Sequence, residues 1–176
     1  MMRSALLRFS RATRAAAASE FALILPVIIL MFAAIVEFGA IFQVYAATNR
    51  VATQFAIAWA DCSDSPVGTC QTELNTYTAS FTIANIAPQL TASHLTLQMF
   101  EVQMSGTTPT IVYAYPSSAT LTAAQVVAAQ AAFSPSQTGV IVTASYVHTL
   151  QFFSVLMTPF LGANLNPTYT VVQIKS

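Results

Sequence analysis

The sequence predicts an α+β fold in which a long N-terminal transmembrane helix packs on a small antiparallel β-sheet domain. Three observations carry this expectation. Residues 21–36, FALILPVIILMFAAIV, contain no charge. Val44, Ala47, Val51, Phe55 and Ala58 then recur at helical spacing, with Gln43, Arg50, Thr53 and Gln54 off that stripe, the pattern of a helix that covers a core. Beyond residue 94, segments rich in β-branched and aromatic residues alternate with Gly and Pro turns, the pattern of strands.

Composition agrees with a lipid contact. The chain has 176 residues, 55% hydrophobic and only 7% charged, with zero formal net charge, against roughly 25% charged residues in soluble domains; its mean hydropathy is +0.62. Four of its six basic residues, Arg3, Arg8, Arg11 and Arg14, lie in a leader over 1–15, and after Arg50 only Lys175 follows. Such a local cluster beside an apolar run gives no cationic face for nucleic acid, and none is expected as a partner. It does orient a membrane helix, with the N-terminus cytoplasmic and the rest exported.

The helix is expected over 16–60. Phe21 to Phe42 is a stretch of 22 residues, enough for the roughly 20 that span a bilayer. Pro26 should kink the helix near Ala22. A helix of this length would extend about 65 Å, about twice the hydrocarbon thickness, so its distal half projects and packs, on the chain's own domain in preference to a separate receptor. Glu37 falls near the outer membrane edge, where it either snorkels to the interface or contacts a partner helix.

An exported α+β domain is expected over 61–176. The loop DCSDSPVGTC contains Cys62 and Cys70, which an oxidising compartment would pair as a disulfide. Two free thiols are the alternative; a metal site lacks ligands, since His94 and His148 have no pairing spacing to the cysteines. A helix is expected from Thr72 to Ile86, stopped by Pro88. HLTLQMFEVQM alternates at Leu95, Leu97 and Met99, then at Phe100, Val102 and Met104; the change of phase predicts a bulge near Met99. SGTTP turns the chain into TIVYAY, a hairpin over 95–115. TLTAAQVVAAQAAF reads as a helix capped by Thr120 or Thr122. TGVIVTASYVHTLQFF is the strongest strand, LMTPFLGANLNP a loop and TYTVVQIKS the last strand. The sheet should be polar on one face and covered by the projecting helix on the other.

No G-x-S-x-G, Walker A, H-E-x-x-H or G-x-G-x-x-G motif occurs in the sequence. Asp61 and Asp64 belong to a turn, and a calcium site would want more oxygen ligands than they supply. No enzymatic activity, cofactor or metal is expected. Tyr113, Tyr115, Tyr146 and Tyr169, with Phe152, Phe153 and Phe160, are divided between sheet core and scattered surface in preference to one adhesive face.

Glu20 stands between the alanine-rich leader and the apolar run, an unpaired carboxylate at a costly position. In order, residues 14–39 present arginine, small residues, Glu20, Phe21, Pro26, Glu37, Phe38 and Gly39. This arrangement, over residues 11 to 50, resembles the TadE-like pseudopilins of the tight-adherence (Flp) branch of type IV pili. The resemblance implies a type IV pilin-like helix cut by a prepilin peptidase between Ala15 and Ala16, with Glu20 at mature position five and Phe21 after it. Ala15 stands where type IV prepilins generally have Gly, and Phe21 where the major Flp pilin has Tyr. The implied partners are the peptidase, other pilins and pseudopilins, the Tad secretion machinery and inner-membrane lipid. The implied function is Tad/Flp pilus assembly and surface adherence, from a single-pass position in the bacterial inner membrane with a periplasmic domain, or from within an extracellular pilus.

Physical reasoning gives Glu20 a use in that setting. Cleavage would create an α-ammonium at Ala16, about 6 Å of helix rise from Glu20. A neighbouring subunit shifted axially by that much could pair its ammonium with the carboxylate and set the register. Two alternatives remain: a secreted or periplasmic binding domain whose signal peptide ends at VYA, residues 44–46, and an anchored domain that is never processed. These predict mature starts at Ala16, Ala47 and Met1.

Overall fold

The computed structural model describes residues 2–62, 69–76, 80–153 and 166–175, with only the backbone at 2–18, 75, 76 and 80–82. Helix α1 runs from Met2 to Ala60 with Pro26 inside it, so the leader is a continuation of the helix and not a separate element. Its 59 residues extend about 88 Å. Every described residue from Ser19 to Phe32 is exposed. The buried stripe then runs through Glu37, Val44, Thr48, Val51, Phe55 and Trp59.

Helices α2 (Thr69–Thr76) and α3 (Ser80–Ile86) occupy the region expected as one helix over 72–86. The described residues thus begin the first helix three positions earlier, immediately before Cys70. Residues 77–79 of the expected helix lie outside the described residues. Pro88 ends α3 as anticipated: the amide of Ala87 donates to Ile83 O and that of Leu90 to Ala87 O, closing the chain into a turn.

Strands β1 (Leu95–Ser105), β2 (Thr108–Tyr115), β3 (Thr138–Tyr146) and β4 (Thr168–Ile174) form one sheet of order β2-β1-β3-β4, every pairing antiparallel. Gly106, at φ +62°, opens the two-residue turn between β1 and β2, a conformation glycine adopts without steric cost. Helix α4 (Ala123–Ala132) lies between β2 and β3 in sequence. Its N-cap is Thr122, whose side chain accepts from Gln125 N while Gln125 Oε1 accepts from Thr122 N, a reciprocal capping box.

The bulge expected near Met99 is not in β1. Pairing with β3 runs without interruption from Leu95 to Gln103. The irregularity lies where Glu101 pairs Tyr113 and Val102 pairs Ile111, leaving Val112 as the extra residue, on β2. The change of apolar phase has a different cause: both faces of β1 are buried. Leu97 and Met99 join Val140, Val142 and Ala144 against α1, where Val44, Val51, Phe55 and Trp59 meet them. Phe100, Val102 and Met104 join Ile141 against Ala129 and Phe133 at α4 and its C-cap. The sheet is therefore apolar on both sides at its centre, and the expected polar outer face is limited to one end, at Thr96 and Gln98 of β1 and the residues of β3 and β4 beside them. There Thr143 bonds Thr170 and Ser145 bonds Thr168, while Gln125 Nε2 donates to Thr143 Oγ1. Gly139 sits beneath the Phe133 ring, in space a Cβ would overlap.

Candidate functional site: the helix and its junction with the domain

The apolar segment of α1 is the only helix among the described residues long and apolar enough to cross a membrane. Its most apolar window has a mean hydropathy of 2.7 and is 6% buried. A core helix of a soluble fold would be covered; this one presents Phe21, Leu23, Ile24, Val27, Ile29, Phe32 and Ile35 outward, so its apolar surface is left for something outside the chain.

Glu20 is exposed at the beginning of this segment, and among the described residues no ion pair reaches it. Phe21 beside it is 59% exposed. The bond between Ala15 and Ala16 lies within the continuous backbone of α1.

Glu37 is placed otherwise. It is 4% exposed, and its carboxylate accepts from the amide of Gln151 at 2.9 Å and 3.2 Å, one bond to each oxygen, and from the amide of Phe152 at 2.8 Å. Two successive amides converging on one carboxylate form an anion-binding concavity, and charge-assisted bonds of this kind are the strong ones. Within the single chain Glu37 makes a contact that neither expectation named, a tether to the segment after β3. Nothing in the local sequence pointed to it, because the two ends lie 114 residues apart.

Just above that tether, Ala40, Gln43 and Val44 of α1 face Gln89, Thr91, His94, Tyr146, His148 and Thr149 across a polar cleft of about 270 Å³. His94 lies against the Tyr146 ring, with centroids 6.0 Å apart. The Tyr146 hydroxyl accepts from the Thr91 amide.

At the far end of α1, Cys62 and Cys70 form a disulfide with Cα atoms 5.7 Å apart. The interior of their loop, including Asp64, Pro66 and Gly68, lies outside the described residues. Behind the clip, Gln71 Nε2 donates to Glu101 Oε2, and Lys175 Nζ reaches Glu101 Oε1 at 2.8 Å. Both charged side chains are buried, at 7% and 3% exposure. The Lys175 amide also donates to Thr138 O, so the end of the chain is fixed to two strands. Trp59 packs against Tyr113, ring centroids 5.7 Å apart, and Tyr45 meets Tyr169 edge-on at 6.2 Å. Sequence reasoning missed Trp59, Glu101 and Lys175. Of the aromatic group singled out earlier, Tyr113, Tyr146 and Tyr169 join the core, Phe152 is exposed, and Phe160 lies outside the described residues. Among the described residues no group of three or more His, Cys, Asp or Glu could hold a metal ion.

Residues 15–56 match the family model of the TadE-like proteins. This stretch of α1 is similar to the TadE-like proteins. The match begins at the residue before the proposed cut, includes Glu20 and Glu37, and stops within the stripe that packs on the sheet. No curated protein and no solved structure matches the chain. The TadE-like resemblance therefore rests on the helix, and the domain is described by its own structure.

Proposed function

We propose that this TadE-like chain is a minor pseudopilin of a Tad-type pilus assembly system, with its N-terminus cytoplasmic and its domain on the periplasmic side. A prepilin peptidase removes residues 1–15, Ala16 becomes the N-terminus, and Glu20 receives the α-ammonium of a neighbouring pilin or pseudopilin. The observation that carries this reading is the position of Glu20. It is an exposed carboxylate at the start of an exposed apolar helix, inside the TadE-like match.

Packing supports this reading over a signal peptide cut after Ala46. Such a cut would remove Glu37 and Val44, both buried against the domain, and sever the helix within its core stripe. It would also leave the part-buried amides of Gln151 and Phe152 without their charged acceptor. Removal of 1–15 touches none of these contacts.

The test is Glu20→Ala in the native host. The variant should insert in the membrane and keep its disulfide, but should fail to support pilus assembly and surface adherence. Normal piliation and adherence in that strain would refute the proposed role of Glu20.

A further inference from the structure

We propose that residues 151–153 make a second contact with lipid, with the Phe152 ring seated in the bilayer interface nearer the domain. This inference rests on the reading of α1 as a membrane-spanning helix. Phe152 is 58% exposed, and the Glu37 tether fixes its height along α1. The exposed apolar surface of α1 continues past that height, through Phe38 at 50% and Phe42 at 72%. From Phe21 to Phe42 the helix rises about 32 Å, close to the roughly 30 Å of the hydrocarbon layer. Glu37 is five residues short of Phe42, about 7.5 Å along the axis. The segment bound to it thus lies at the edge of the apolar layer and not beyond it.

Polarity changes in the matching direction. At the level of residues 40–44 the junction is lined by Gln43, Gln89, Thr91, His94, His148 and Thr149, groups suited to the headgroup zone. Below it α1 exposes Phe32, Ile35 and Val36. Aromatic rings favour this boundary. The tether also explains how a non-helical segment is tolerated there. Backbone amides at membrane depth must be paired, and the Glu37 carboxylate pairs those of Gln151 and Phe152. The same bonds relieve the burial cost of the carboxylate.

The test uses the full chain in phosphatidylcholine/phosphatidylglycerol nanodiscs, with or without lipids brominated on the acyl chain near the headgroup. Trp59 is the single tryptophan, is fully buried, and stands 22 residues above Glu37, about 33 Å along the helix. The unaltered chain therefore supplies an unquenched baseline. In Phe152→Trp the added emission should be blue-shifted, lost in brominated lipid and insensitive to iodide. Phe38→Trp should behave alike, and Val127→Trp, on the exposed side of α4 at 63% exposure, should not respond to bromine. If Phe38→Trp is quenched and Phe152→Trp is not, the second lipid contact is overturned, whether iodide shows the ring in water or shielding from both quenchers shows it covered by protein. If Phe38→Trp is also unquenched, the membrane reading itself fails. A carbene-generating lipid probe on the unaltered chain provides a check free of substitutions: the peptide carrying Phe152 should be labelled, and its absence from the labelled set would overturn the inference.

Discussion

The carboxylate of Glu37 holds the amide of Phe152 at 2.8 Å across 115 positions of sequence, joining the helix to the domain where the exposed apolar run gives way to the packed stripe. Two further bonds to Gln151 N complete the tether. The domain's attachment to the helix thus begins at Glu37, a turn or two before its apolar contacts at Val44.

Glu37→Ala should loosen this attachment. It removes the charged acceptor of two part-buried amides, and a hydrogen bond contributes about 0.5–1.5 kcal/mol net, so the domain should lose about 1–3 kcal/mol in denaturant unfolding. Glu37→Gln, which keeps one acceptor oxygen, should lose less. Amide exchange at Gln151 and Phe152 should rise in the alanine variant and stay slow at Val140 and Val142; unchanged exchange at 151 and 152 would contradict the tether.

The disulfide between Cys62 and Cys70 closes a short loop at the distal end of α1. Neither thiol should react with an alkylating reagent in the unfolded, unreduced chain, and both should react after reductant is added. By loop-closure entropy the bond should contribute about 2–3 kcal/mol, read as a lower denaturant midpoint for the double Cys→Ser variant. Immediate alkylation without reductant would sink the pairing.

Glu101 and Lys175 form a buried ion pair between a central strand and the end of the chain. Lys175→Met strands the carboxylate with Gln71 and should cost about 3–5 kcal/mol. Adding Glu101→Gln should recover much of that loss, because the uncompensated charge is then gone. Equal unfolding midpoints for the single variant and the native chain would show that the pair is not formed in solution.

What the sequence made legible followed from local rules. The apolar run, the stripe from Val44 to Phe55, the stop at Pro88, the cap at Thr122, one of two threonines expected for it, and the strand from Thr138, expected to reach residue 153 but ending at Tyr146, each depend on near neighbours. So does the pairing of two cysteines eight positions apart. The contacts that eluded it are non-local. Glu37 and Phe152, or Glu101 and Lys175, signal nothing to one another along the chain. The phase change in β1 was visible at Met99 and Phe100 but ambiguous: alternation cannot distinguish a bulged strand from one buried on both faces. The second covering layer, α4, decided it. Its alanine-rich sequence defines a face too weakly to announce what it covers.

The proposed maturation removes the basic leader and leaves the rest of the helix in place. N-terminal sequencing of the protein purified from its native membrane tests that most directly. A start at Ala16 is predicted, with Glu20 fifth; a start at Ala47, or an intact Met1, would contradict it.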